Sequence, residues 1–239
     1  MTDGEIAAWL ATEAGNMLLA LQKTGSGKAV GDEGDRIANI FLCSEIRKAR
    51  PEDALLSEEE IDCTSRCSVS RVWIIDPLDG TREYSEGRSD WAVHVALAVD
   101  GIATVGAVAL PALGVTLCSE KPNALSPTND PLKIVVSRTR PAPEAVALAE
   151  KLGAELLPMG SAGAKAMAVV RGEADIYLHT GGQYEWDNCA PVAVAQAAGL
   201  HCVRLDGSPM RYNNANPYLP DLLICKPELV PEIMAALGT

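Results

Sequence analysis

Three short stretches of this chain crowd oxygen donors where a strand or turn should end. In Trp73-Ile74-Ile75-Asp76-Pro77-Leu78-Asp79-Gly80-Thr81 an apolar run delivers Asp76. Pro77 is expected to end that strand because it cannot donate to a ladder, and Asp79 follows one tight turn later with Gly80 supplying conformational freedom. Upstream, Leu55-Leu56-Ser57-Glu58-Glu59-Glu60 places acids directly after an apolar run, and downstream Glu185-Trp186-Asp187 precedes an Ala-rich helical pattern. Converging carboxylates suit a hard cation, since magnesium takes oxygen ligands and commonly keeps one or two carboxylates with waters. Each stretch alone also reads as something plainer: an Asp-Gly turn, a solvated acidic turn, or a first-turn acid that suits a helix dipole. The metal reading gains weight only from the three together. Asp76 and Asp79 are three positions apart, which excludes the Asp-x-Asp pair of phosphatases that use an aspartate nucleophile.

Helices and strands must bring these stretches together. Residues 2–22 place Ile6, Leu10, Ala14, Leu18 and Leu21 at helical spacing, with Thr2 and Glu5 as a capping box. A loop at 24–28 leads to a second helical pattern through Asp35, Ile40, Phe41 and Ile46 that stops before Pro51. Short apolar runs follow at 54–57, 71–75, 91–99, 102–110 and 114–118, with Asp100-Gly101 as a two-residue hairpin turn, predicting an antiparallel sheet. After a Pro-, Asn- and Ser-rich connection at 121–131, strands near 132–137, 155–157, 175–178, 201–205 and 222–225 alternate with helices at 142–152, 162–170 and 186–198 and a last one after Pro227. The fold class is α/β, with an α+β half over 1–125 and an α/β half over 126–239.

Composition narrows the function. With 239 residues, 48% of them hydrophobic, the chain can bury a sizeable core. No apolar run approaches the roughly 20 residues of a membrane helix, and no secretory leader is visible, so the cytoplasm is the expected compartment. A net charge of −12 argues against a nucleic-acid polymer or an anionic membrane as partner. It does not exclude a small anion, because a bound divalent cation inverts the local field. The seven cysteines are scattered, and Cys63 with Cys67, the one close pair, lacks the further ligands of a zinc site. His94, His179 and His201 read as packing or local hydrogen-bonding residues, since no Ser or Cys nucleophile pattern surrounds them.

Asp76-Pro77-Leu78-Asp79-Gly80-Thr81, the Ser57-Glu58-Glu59 element, Asp35, and Trp186-Asp187 with Gly199 behind them resemble the signature set of the inositol monophosphatase superfamily, in order and spacing, over nearly the whole chain. Within it the chain is most similar to the 3'(2'),5'-bisphosphate nucleotidases, on Arg82-Glu83-Tyr84, Glu185, Lys165 in Gly160-Ser161-Ala162-Gly163-Ala164-Lys165, and the run from Leu205 to Asn213.

That resemblance implies a layered α-β-α-β-α sandwich and two to three magnesium ions. Glu58, Asp76 and the Leu78 carbonyl would bind one ion, and Asp76, Asp79 and Asp187 a second. A third, looser ion would sit near Glu58 and Glu59. Thr81 and Asp35 would orient and deprotonate the attacking water. The family more often has a threonine in the segment leading to Asp35, which makes Asp32 a rival for that role. Gly80, Thr81, Gly160 and Ser161 would line the phosphate side of the cleft. Lys165 and Arg211 would meet a second phosphate, and Tyr184 and Glu185 the nucleoside. The implied reaction is magnesium-dependent, lithium-sensitive removal of the 3'-phosphate from 3'-phosphoadenosine 5'-phosphate or its 5'-phosphosulfate, within sulfur metabolism. Inositol-1-monophosphatase or fructose-1,6-bisphosphatase activity is the alternative within the superfamily, and a non-catalytic metal- or anion-binding protein the alternative outside it. The partner is a small phosphorylated molecule, with a homodimer left open.

Overall fold

Each of the two long helices that open the chain has a start and a stop written in its sequence. The computed structural model describes residues 1–238. Helix α1 (Asp3–Gln22) begins with the expected capping box, the Glu5 amide donating to Thr2 Oγ1 at 3.1 Å and the Thr2 amide to Glu5 Oε2 at 2.9 Å. Helix α2 (Lys28–Ala49) starts after Gly27, whose φ of 98° belongs to the region glycine favours, and ends before Pro51.

Among the described residues the strands form two five-stranded sheets. The first contains β1 (Ala54–Ser57), β2 (Arg71–Asp79), β3 (Ala92–Val99), β4 (Ile102–Leu110) and β5 (Val115–Cys118) in that order, with the short helix α3 (Thr81–Ser85) directly after β2. Asp100 and Gly101 turn β3 into β4 with φ of 51° and 76°, as a type I′ hairpin requires. The expected antiparallel sheet needs one correction, because β1 pairs with β2 in parallel. The chain between them crosses over through 58–70 instead of turning back, and this crossover leaves Glu58 at the same end of the sheet as Asp76 and Asp79. Pro77 does not end β2 either. The strand runs on to Asp79, and the ladder to β3 is irregular between Asp76 and Asp79, where a residue without an N–H is tolerated.

The second sheet has the order β7 (Glu155–Met159), β6 (Lys133–Ser137), β8 (Ile176–Tyr184), β10 (Tyr218–Cys225), β9 (His201–Val203). β6 pairs in parallel with both its neighbours, and the pairs made by β10 are antiparallel. Its helices are α4 (Pro143–Leu152), α5 (Ala162–Val170), α6 (Glu185–Ala197) and α7 (Val230–Leu237).

Three cores stack the layers. Leu10, Leu18, Leu42 and Ile46 of α1 and α2 pack on Trp73, Ile75, Val93 and Val95, on one face of the first sheet. Val72, Ile74 and Val108, on the opposite face, meet Met167 of α5 and Val192 of α6, whose other sides cover Tyr177, Leu222 and Ile224 of the second sheet. Leu148 of α4 and Ile233 of α7 close the outer face over Ile134, Ile176 and Leu223. The result is an α-β-α-β-α sandwich. Because the central strands are buried on both faces, β2 and β3 read as continuous apolar runs.

Candidate active site

The three stretches of acids meet. One carboxylate oxygen each from Asp76, Asp79 and Asp187 lies within 4.8 Å of the others. Asp76 is buried in β2 and accepts from the Leu78 amide at 3.1 Å, and Asp79 is buried at the strand end. Asp187 comes from the first turn of α6, where its Oδ2 also accepts from the Tyr184 amide at 2.6 Å, so the plainer reading of a first-turn acid that suits the helix dipole holds alongside the cluster. Glu58 stands at the exposed rim, beside the Asp76 carboxyl.

The surroundings of these acids are unequal. Burial raises the Asp76 pKa well above the usual carboxylate range, and Glu58, Asp79 and Asp187 push it further. Burial followed by repulsion from Asp79 brings Asp187 to about 7. Glu58 rises to about 7, through desolvation of its carboxyl end first and then repulsion from Asp35, Glu59 and Asp79, against a lowering contact with Asp76. For Asp79 burial acts upward too, yet its pKa is depressed, because His94, Lys165 and Ser161 outweigh it. Asp79 accepts from the Ser161 hydroxyl, from the Ala162 amide at 3.1 Å and from the Gly163 amide at 2.6 Å, all at the N-terminus of α5.

His94 also borders the cluster, a placement that the sequence does not signal. Fully buried on β3, it holds Nδ1 3.0 Å from the Trp186 carbonyl and Nε2 3.1 Å from Asp79 Oδ2, at ion-pair distance but outside hydrogen-bond alignment. Burial opposes charge on the ring, and Asp79 reverses the balance, so the His94 pKa is raised. Its expected role as a local hydrogen-bonding residue describes the Trp186 contact. No sequence signal ties an inward histidine of one strand to an aspartate of the next.

Gly80 turns the chain from Asp79 into α3 with φ of 88°, and a Cβ there would come within 3.2 Å of the Ser161 Cβ. Next to it, the Thr81 hydroxyl donates to the Leu78 carbonyl at 3.1 Å. On the facing turn of α2, Asp35 is buried and raised to about 7, by burial first and Glu59 second, with the Thr81 hydroxyl acting in the opposite direction. Asp32 faces solvent in an ion pair with Lys28, so Asp35 is the one of the two that reaches into the site.

On the far side, Ser161 holds a φ of 52°, an unusual conformation for a non-glycine residue. Lys165 is neither solvated nor open to ligand. It is buried, its ammonium donating to the carbonyls of Ser161 and Gly160 and lying 5.6 Å from the Tyr177 ring centre. Glu185 is fully buried and accepts from the amides of Asn213 (2.7 Å) and Asn214 (2.8 Å) and from Asn214 Nδ2 (2.8 Å). Tyr184 is exposed, stacks on Trp186 at 4.9 Å and 8°, and meets Tyr218 edge-on at 5.8 Å. Arg211 lies on an exposed loop and lines a groove with Arg204, Asn214 and Tyr218, a groove to which none of the four acids contributes.

Residues 5–236 match the model of the inositol monophosphatase family. The chain belongs to that family. It is 48% identical, over 99% of its length and 94% of the relative's, to a protein of Mycobacterium leprae named 3'-phosphoadenosine 5'-phosphate phosphatase. It is 28% identical, over 77% of its length and 80% of the relative's, to the 3'(2'),5'-bisphosphate nucleotidase CysQ of Escherichia coli K12. Among solved structures it superposes with a TM-score of 0.82 on CysQ from Bacteroides thetaiotaomicron, a bacterial member of the inositol monophosphatase family, at 22% identity and 94% and 97% coverage. Inositol monophosphatase from Anabaena superposes at 0.80, with 22% identity and 99% and 95% coverage.

The family is magnesium-dependent in general, and the site fits that ion. Its donors are oxygens only, and three of its acids are pushed upward, first by burial and then by crowded negative charge that a cation would offset. Ligand oxygens of one magnesium are about 3 to 4 Å apart, given bonds of about 2.1 Å, so a cluster spanning 4.8 Å closes onto an ion with small side-chain shifts.

Proposed function

We propose that the protein is a magnesium-dependent phosphatase that converts 3'-phosphoadenosine 5'-phosphate to AMP and phosphate, and its 5'-phosphosulfate to adenosine 5'-phosphosulfate. The observation that carries the substrate is the 48% identity, across almost the whole chain, to the Mycobacterium leprae phosphatase of that name. The reading extends to two or three ions and to action in the cytoplasm. Among the described residues no helix is long and apolar enough to cross a membrane.

In this reading residues 1–125 supply most of the metal ligands, while 126–239 completes the site and binds substrate. Glu58, Asp76 and the Leu78 carbonyl would hold one ion, Asp76, Asp79 and Asp187 a second, and Glu59 would help Glu58 with a looser third. Bound there, the ions would supply a water acidic enough to deprotonate near neutral pH and would neutralise charge on the leaving oxygen. Thr81 and Asp35 orient that water, and the raised Asp35 accepts its proton near pH 7. The new bond joins the water oxygen to phosphorus as the ester P–O bond breaks, and the departing 3'-oxygen takes up a proton from solvent water to become the 3'-hydroxyl. Gly80, Thr81, Gly160 and Ser161 form the phosphate cradle. Tyr184 offers an exposed face to the base, and Arg211 an exposed cation to the 5'-phosphate. Lys165 and Glu185 shape the substrate side through the turns they hold, since their charged ends are engaged.

The test is phosphate release across 3'-phosphoadenosine 5'-phosphate, inositol 1-phosphate and fructose 1,6-bisphosphate, with and without magnesium, with lithium chloride titrated against a potassium chloride control. The nucleotide should be preferred, activity should need magnesium, and lithium should inhibit. Faster turnover of either other substrate removes the substrate assignment and leaves the metal site standing.

A further inference from the structure

Every residue of 61–70 is exposed except Arg66, which is 3% exposed. A buried guanidinium is costly unless its donors are matched, and here they are. Nε and Nη2 of Arg66 donate to the two oxygens of Asp62 at 2.7 and 2.8 Å, Nη1 to Asn213 Oδ1 at 2.9 Å, and Nη2 also to the Asn214 carbonyl at 2.8 Å. In return Asn213 Nδ2 donates to the Arg66 carbonyl at 3.0 Å. On their other side the same two asparagines satisfy the buried Glu185 carboxylate through three donors, and Asn213 holds a φ of 62° to do so.

We propose that Arg66 is a positioning residue: through Asn213 and Asn214 it clasps the Glu58-bearing crossover to Glu185, and so fixes the spacing between metal ligands of the two halves. Glu58 opens the segment that Arg66 anchors, and Asp187 lies two residues after Glu185. Ionised carboxylates of these segments repel one another when no cation lies between them. The clasp opposes that separation from outside the site, with one buried positive and one buried negative end joined by two amides. The inference rests on the proposed metal site but not on the identity of the substrate.

The test is calorimetric titration of magnesium into metal-free parent, Arg66→Gln and Asn213→Gly proteins, with amide hydrogen exchange of 58–70 followed on the same samples. Asn213→Gly keeps the left-handed backbone while removing the side chain that meets Arg66, so it decides the matter if Arg66→Gln does not fold. Both variants should bind magnesium about tenfold more weakly, the lower end of what losing a ligand's own hydrogen-bond partner costs, because the clasp acts through the segments that carry the ligands, and should exchange faster over 58–70 than the parent. Parent-like magnesium affinity in the folded variants overturns the proposal, even if their stability falls. If the parent hydrolyses 3'-phosphoadenosine 5'-phosphate while variant affinity is unchanged, the clasp fails and the function stands. If variant affinity falls while the nucleotide is not hydrolysed, the substrate assignment fails and the clasp stands.

Discussion

Asp79 and His94 show how neighbouring acids come to differ. Asp76 and Asp187 face mainly burial and other carboxylates, whereas Asp79 receives the start of α5, the Ser161 hydroxyl and an imidazole. It therefore stays ionised when its neighbours gain protons, and it anchors the cluster. His94→Gln keeps a polar side chain but removes the imidazole ring beside Asp79. Magnesium affinity should fall about ten- to a hundredfold, as for other partners of metal ligands. Unchanged affinity, measured by magnesium titration, would mean that His94 only fills space. The run from Asp76 to Thr81 was readable because the spacing of its acids carries the chemistry. The orientation of Lys165 was not readable, since the carbonyls that bind it belong to a turn whose shape depends on Asp79, far away in sequence.

At the level of elements, regular segments were legible where local signals agreed. Helix α1 starts at its capping box, and the β3–β4 hairpin turns at Asp100-Gly101. Signals that depend on a distant partner were not. The direction of the four-residue β1 is set by the crossover at 58–70, and β8 runs through Gly181 and Gly182, poor strand formers, because β10 pairs with it as far as Tyr184. The approach of α6 to β4 was equally invisible. At Gly106 a Cβ would lie 2.6 Å from the Ala190 carbonyl oxygen and 2.7 Å from the Ala193 Cβ. Gly106→Val should therefore push away the helix that carries Asp187 and cost about 1–3 kcal/mol, read by denaturant unfolding. A variant as stable as the parent would mean that α6 yields freely.

For the whole molecule, the acidic cleft links stability to pH and to cations. Asp35 and Asp187 titrate near 7 in the folded protein and at about 4 when unfolded. Because the folded state holds their protons more tightly, their contribution to stability is complete below the unfolded value and is lost as pH rises through about 7. Glu58 shifts the same way but counts for less, since it is exposed at the rim. In the proposed site magnesium would bind Asp187 and Glu58 in their ionised forms and reverse their part of the loss. The rise in Tm on adding magnesium should thus be larger at pH 8 than at pH 5.5. An equal rise at both would contradict the electrostatic account.

In the proposed site, acids at 58, 76, 79 and 187 share cations at one cleft. Crystals soaked in manganese should show anomalous peaks among Glu58, Asp76, Asp79 and Asp187, the two strongest about 3.5–4 Å apart. Peaks elsewhere on the molecule, with none between these carboxylates, would contradict it.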